Sequence, residues 1–104
     1  MRHFYKNMVV HVRRLIWDIK NSRHISKHAI SPDEVEEVCH SDPLVIKEKK
    51  GRVGVIGETE DGRTLKVILQ SKGENVYYPV TAYEPDNREL ALYRRLKGGE
   101  KNDT

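Results

Sequence analysis

Two histidines, a scatter of lysines and arginines, and a late group of tyrosines are the residues whose types and spacing invite a chemical reading. His24 and His28 stand four residues apart, so on a helix they share a face. A metal there needs a third ligand, which His11 or His40 could supply. Two histidines on a short basic helix are more often plain surface residues. Four of the five tyrosines fall in the second half: Tyr77, Tyr78, Tyr83 and Tyr93. Strand alternation puts Val76, Tyr78, Val80 and Ala82 on one face, and Tyr77, Pro79, Thr81 and Tyr83 on the other. Lys66, on the neighbouring strand, is expected to share the face of Tyr77 and Tyr83, near Arg63 and Arg88. Rings stack on bases and cations hold phosphates, so such a face can hold a phosphodiester. The plainer reading is a helix-packed sheet face along which a lysine stem lies.

Other chemistry finds little support. There is no phosphate-binding glycine loop, no paired-cysteine zinc motif and no nucleophile elbow. Cys39 is the only cysteine, which excludes a disulfide within the chain and suggests a cytoplasmic protein. On the apolar face of a helix it reads as a small buried hydrophobe.

The elements that must position these residues can be traced along the chain. Met8 to Trp17 is rich in β-branched residues and predicts an N-terminal strand. Asp18 can then cap a short helix over about Ile19 to Lys27. Ser31-Pro32-Asp33-Glu34 has the form of a capping box with proline at the first helical position, and Asp42-Pro43 ends that helix. Four strand-like runs follow: Leu44–Glu48, Arg52–Glu58, Thr64–Gln70 and Val76–Tyr83. Their short connections, one carrying Asp61-Gly62, allow only antiparallel neighbours. Pro79 calls for a bulge or an unpaired edge. Asp86 and Glu89 form another capping box, and Leu90, Tyr93 and Leu96 give a helical stripe that Gly98-Gly99 ends. The expected fold is therefore α+β: an N-terminal strand and two short helices, a four-stranded antiparallel β-meander, and a C-terminal helix. One domain over residues 1–98 and a flexible tail over 99–104 account for the chain.

At 104 residues there is material for one core. With 37% hydrophobic and 34% charged residues, that core must be compact and the surface densely charged. No apolar run approaches the roughly 20 residues of a membrane span, so no membrane partner is expected. The net charge of +3 is unevenly laid out. Residues 1–30 hold seven Lys/Arg and one acid, whereas residues 31–42 hold five acids and no Lys/Arg. The basic portion suits nucleic acid or an acidic partner. It can equally be a solvated face balanced by the acidic helix that follows.

A family resemblance sharpens this picture. The run Trp17-Asp18, Asn21, Lys27-His28-Ala29-Ile30-Ser31, Glu34 and Glu37-Val38 resembles the opening of the BrnT toxins. Their pattern is W-D, then N, then K-H-G-I/V-S and an acidic helix; here Ala29 stands for the glycine. Arg52, Val55-Ile56-Gly57 and Asp61-Gly62-Arg63-Thr64-Leu65 are similar to the family's R-x-x-x-I-G and G-R-x-L hairpin. The resemblance spans residue 16 to about residue 95 and implies a RelE-like fold. It implies a ribonuclease that needs no metal or cofactor and that a ribbon-helix-helix antitoxin holds inactive. DNA would be met only through that antitoxin. RNA brings its own nucleophile, the 2′-hydroxyl, so the protein must hold the phosphate and move protons. On this reading Arg63 and Arg52 contact phosphate, His28 or Tyr83 exchanges protons, and Lys66 and Arg88 assist electrostatically. The last strand departs from the pattern: BrnT members commonly read I-S-A-R, and this chain reads Val80-Thr81-Ala82-Tyr83. That ending is more similar to the DUF4258 group of small domains. Two functions thus stand open: a ribonuclease toxin, or a non-catalytic RNA- or protein-binding domain on the same fold.

Overall fold

The computed structural model describes residues 10–98. The expected tail and the Met8-Val9 start of the expected first strand lie outside the described residues. Capping chemistry sets the helix starts. Helix α1 (Ile19–Ser26) begins where the Asp18 carboxylate accepts from the Asn21 N–H at 2.8 Å and the Asn21 side chain accepts from the Asp18 N–H at 2.9 Å. Helix α2 (Pro32–Cys39) has the same reciprocal arrangement between Ser31 and Glu34, and helix α3 (Asn87–Tyr93) between Asp86 and Glu89. Each box satisfies amides that a first helical turn leaves without partners. Beyond Tyr93 the chain widens into a π-helical turn over Arg94–Gly98.

The strands are β1 (Arg14–Leu15), β2 (Leu44–Lys47), β3 (Val53–Glu58), β4 (Thr64–Ser71) and β5 (Val76–Tyr83). From β2 to β5 they form the expected antiparallel meander. The sheet, however, has five strands in the order β1-β5-β4-β3-β2, because β1 adds to β5 in parallel. The N-terminal strand is also far shorter than its β-branched run suggests. Asp18 must turn the chain into α1, so β1 ends after two residues.

The sheet is covered unequally. Ile25, Ile30, Val35 and Val38 from the α1–α2 layer pack on Val45, Val55, Leu65, Val67, Leu69 and Ala82. On the opposite face, Leu92, Tyr93 and Leu96 pack on Leu44, Ile46 and Ile56. Gly57 lets α2 lie close, since a Cβ there would stand 2.6 Å from Ser41 Oγ and 3.2 Å from the Val38 carbonyl oxygen.

The simple alternation expected for residues 76–83 fails at one point. Ile68 pairs with Thr81 but Leu69 pairs with Pro79, so Val80 is an extra residue in β5. This is a β-bulge beside the proline, which lacks the N–H a regular ladder needs. Tyr77 therefore packs against the larger core, and Tyr78 takes the opposite face beside Gln70. Beyond the bulge Ala82 is in the core, with Tyr83 paired opposite Lys66.

Ala29 links α1 to α2 with φ at +59°. A Cβ in this left-handed region costs about 1–2 kcal/mol. Glycine removes that cost but adds freedom to the unfolded chain. Ala29→Gly should therefore stabilise the domain by about 0.5–1 kcal/mol. A urea transition would show this as a raised midpoint with an unchanged slope.

Candidate nucleic-acid interface

The site begins with an unfinished sheet edge. Ile16 N–H donates to the Tyr77 carbonyl at 2.9 Å, and there the pairing of β1 with β5 stops. The next carbonyl, that of Pro79, accepts instead from the Asn21 side-chain amide at 3.1 Å. The same amide nitrogen donates to the Ile16 carbonyl at 3.0 Å, and Asn21 is only 2% exposed. One turn on, His24 Nε2 and Thr81 Oγ1 share a hydrogen bond of 3.0 Å. The Tyr78 hydroxyl donates to both Asp18 carboxylate oxygens, at 3.1 and 3.0 Å. From the other side, Trp17 Nε1 donates to Glu36 at 3.0 Å and ties the start of α1 to α2. Helix α1 is thus fastened along the side of β5.

Between α1 and the sheet face that α3 leaves bare lies a groove of about 920 Å³. Ile19, Lys20, Arg23, His24 and Lys27 line it from the helix; Arg52, Gln70, Lys72, Tyr78 and Val80 line it from the sheet. Among the described residues lining it, none is acidic. Arg52 Nε donates to Gln70 Oε1 at 3.3 Å, and Gln70 pairs with Tyr78, so these three form a row across the strands. The Lys72 ammonium stands 5.9 Å from the centre of the Tyr78 ring. At the junction, the Asn21 backbone N–H and the Tyr78 hydroxyl hold the Asp18 carboxyl below its ordinary range. Burial and then the facing carboxylate push the Tyr78 hydroxyl up. Tyr78 therefore stays a neutral hydrogen-bond donor near pH 7.

The residues singled out from the sequence do not converge on one place. Arg52 lines the groove. His28 is exposed, its ring set edge-on against that of His24 with centroids 5.4 Å apart. Arg63 lies elsewhere, committed to structure. It donates to the Ala29 carbonyl at 2.9 Å, to both Glu34 oxygens at 3.3 Å and to Glu84 at 3.3 Å. Lys66 is buried, 3% exposed, under α3. It pairs with Glu48 at 2.8 Å and with Glu89, the residue that also caps α3. Burial pulls the Lys66 ammonium down, but the hydrogen bonds it donates to Glu48 and Glu89 outweigh it and leave its pKa raised. Tyr83 stands beside this pair, 5.8 Å from the ammonium to its ring centre, and Arg88 is exposed on the first turn of α3. Cys39 is buried, which pushes its thiol up to about 12 and leaves it unreactive. Among the described residues no cluster of three or more His, Cys, Asp or Glu is placed to hold a metal, and no helix is long and apolar enough to cross a membrane.

No family model, curated protein or solved structure matches this chain.

The groove's other residues, Lys20, Arg23, Lys27, Lys72 and Tyr78, cannot be placed together from sequence. The excess of positive charge before residue 31 is a signal for Lys20, Arg23 and Lys27 alone. Tyr78 is hidden by the bulge, which reverses the face that alternation assigns to it.

Lys66 offers a direct test of its structural role. Lys66→Met leaves two carboxylates facing each other under α3, and breaking a buried pair in this way costs about 3–5 kcal/mol at pH 7. That deficit should shrink as pH falls through the carboxylate range, because Glu48 and Glu89 then become neutral. In the wild type the lysine's own contribution has the same sign but acts at alkaline pH. A raised lysine pKa gives stability that is complete below the ordinary value of 10.5 and is lost as pH rises through the folded value. Urea titrations of both proteins from pH 4 to pH 11 read these slopes.

Proposed function

We propose that this domain binds RNA, with the phosphodiester backbone in the groove between α1 and the β3-β4-β5 face. One observation carries the reading: Lys20, Arg23, His24, Lys27, Arg52 and Lys72 converge on a single concavity, with no acid among the described lining residues. Here helix α1 and the chain beside two strands, Arg52 before β3 and Lys72 after β4, bring their basic side chains to one space. Charge of that density favours a polyanion and releases its counterions on binding.

The ribonuclease-toxin reading remains as the second function, and a different observation favours it. His24 lines the groove and His28 stands against His24, which gives two imidazoles near a bound backbone. One could take the 2′-hydroxyl proton while the other protonates the leaving 5′-oxygen, without a metal. Arg63 and Lys66 are held by carboxylates, so on this fold such chemistry would fall to the histidines and the groove cations. A ribbon-helix-helix antitoxin is the partner that this reading requires.

The two readings separate in one experiment. Wild-type protein should bind labelled single-stranded RNA with an affinity that falls steeply as salt rises. Arg23→Ala with Lys27→Ala should weaken it at least about tenfold at low salt. The same change should reduce the log–log salt slope by about 0.7 for each phosphate no longer neutralised. An affinity indifferent to salt and to these substitutions would sink the binding reading. RNA cleaved in the presence of EDTA, with 2′,3′-cyclic phosphate ends and with loss of cleavage in His24→Ala, would establish the ribonuclease. RNA bound but left intact leaves the binding domain.

A further inference from the structure

We infer that the groove accepts an unpaired nucleotide with its base against Tyr78, which makes single-stranded RNA the ligand rather than a duplex. The inference rests on the groove being the RNA site and goes beyond charge. Its lining is divided. Lys20, Arg23, Lys27, Arg52 and Lys72 are cations, but Ile19, Tyr78 and Val80 offer apolar surface in the same space. Ile19 is 73% exposed and is the one large hydrophobic so exposed among the described residues. It sits at the first position of α1, directly after Asp18, and Asp18 is the residue that holds the Tyr78 hydroxyl. The two hydrogen bonds to that carboxylate fix the tip of the tyrosine, so its ring loses little freedom when something stacks on it. A pre-fixed ring keeps more of the stacking energy as affinity.

A duplex phosphate backbone has no use for such a surface. Its bases are stacked on one another, and it would meet only the cations. An unpaired nucleotide uses both parts of the lining: its phosphates meet the arginines and lysines, and its base meets the ring and the two aliphatic side chains. At about 920 Å³ the groove lies within the range of about 300–1,000 Å³ common for small-ligand sites. The Gln70 amide stands at the floor between Arg52 and Tyr78. Its oxygen accepts from Arg52 at 3.3 Å.

The test compares four fluorescently labelled probes by anisotropy. They are an RNA strand of about ten nucleotides, the same strand in a duplex, the same strand with abasic sites throughout, and inorganic polyphosphate. The single strand should bind about tenfold or more tighter than the abasic strand, as one stacked base is worth about 1–3 kcal/mol. Tyr78→Ala and Ile19→Ala should each abolish most of that advantage and leave polyphosphate binding unchanged. Tyr78→Phe should keep part of it, since the ring remains while its tip is no longer held by Asp18. Ile19 is so exposed that its substitution leaves the core untouched, so the result does not depend on Tyr78 variants folding well. Equal affinity for intact and abasic strands overturns the stacked base while leaving a backbone-binding groove. So does an equal loss of polyphosphate and RNA binding in Ile19→Ala. If Arg23→Ala with Lys27→Ala leaves binding of all four probes unchanged, the groove itself is not the site.

Discussion

Strand β5 is an inner strand for its first two residues and an edge strand for the rest, and the molecule is arranged around that fact. A strand edge leaves carbonyls and amides that need partners. Here the β1 pairing runs out at Ile16, and the next carbonyl along is met by a side chain, the Asn21 amide. Asn21 does this while completing the capping box with Asp18, so one residue both starts α1 and pins it to the sheet. Ile25 then enters the core one turn later, and the polar side of the helix is left facing the bare part of the sheet. Place the helix elsewhere and the concavity has only one wall.

The second face is organised by charge as well as by apolar packing. Lys66 would be a liability in a strand centre if it stood alone, because an uncompensated buried ammonium is costly. Glu89 reaches it from α3 and Glu48 from the end of β2. Gly54 makes the room: a Cβ there would lie 2.7 Å from the Glu48 Oε2 atom. Because Glu89 also caps the helix, the ion pair sets where α3 starts, and Leu92, Tyr93 and Leu96 follow onto Leu44, Ile46 and Ile56. Arg63, just before β4, plays a comparable part, joining the Ala29 turn, the α2 cap and Glu84.

Elements with local causes can be read directly from the chain. Asp18, Ser31 and Asp86 each start a helix through bonds within four residues, and the meander follows from alternation and short turns. What depends on distant partners cannot be read so. The parallel pairing of β1 joins residues about sixty positions apart, and no periodicity announces it. The bulge at Val80 is one inserted residue, and it reassigns every side chain on one side of it. That is why alternation puts Tyr78 on the face of Ala82, while the folded chain puts Ala82 in the core and Tyr78 in the groove. The charged candidates divide in the same way. Residue type alone cannot distinguish Arg23, which lines the groove, from Arg63, whose carboxylate partners come from α2 and from the chain beyond β5.

The internal pairing of Arg63 and Lys66 also shapes what the molecule looks like from a distance. With those two cations cancelled by nearby carboxylates, the long-range field is set by the charges that remain uncompensated, and many of these lie on α1 and beside it. The acids Asp33, Glu34, Glu36 and Glu37 lie in the neighbouring helix α2, so the basic and acidic residues of these two helices are set apart in one body. Such a body turns in the field of a charged neighbour before touching it. Within a Debye length of about 8 Å at physiological salt, a polyanion would meet the helix side first. The ion pairs that hold the interior would thus also bear on how the domain is oriented as a charged body approaches.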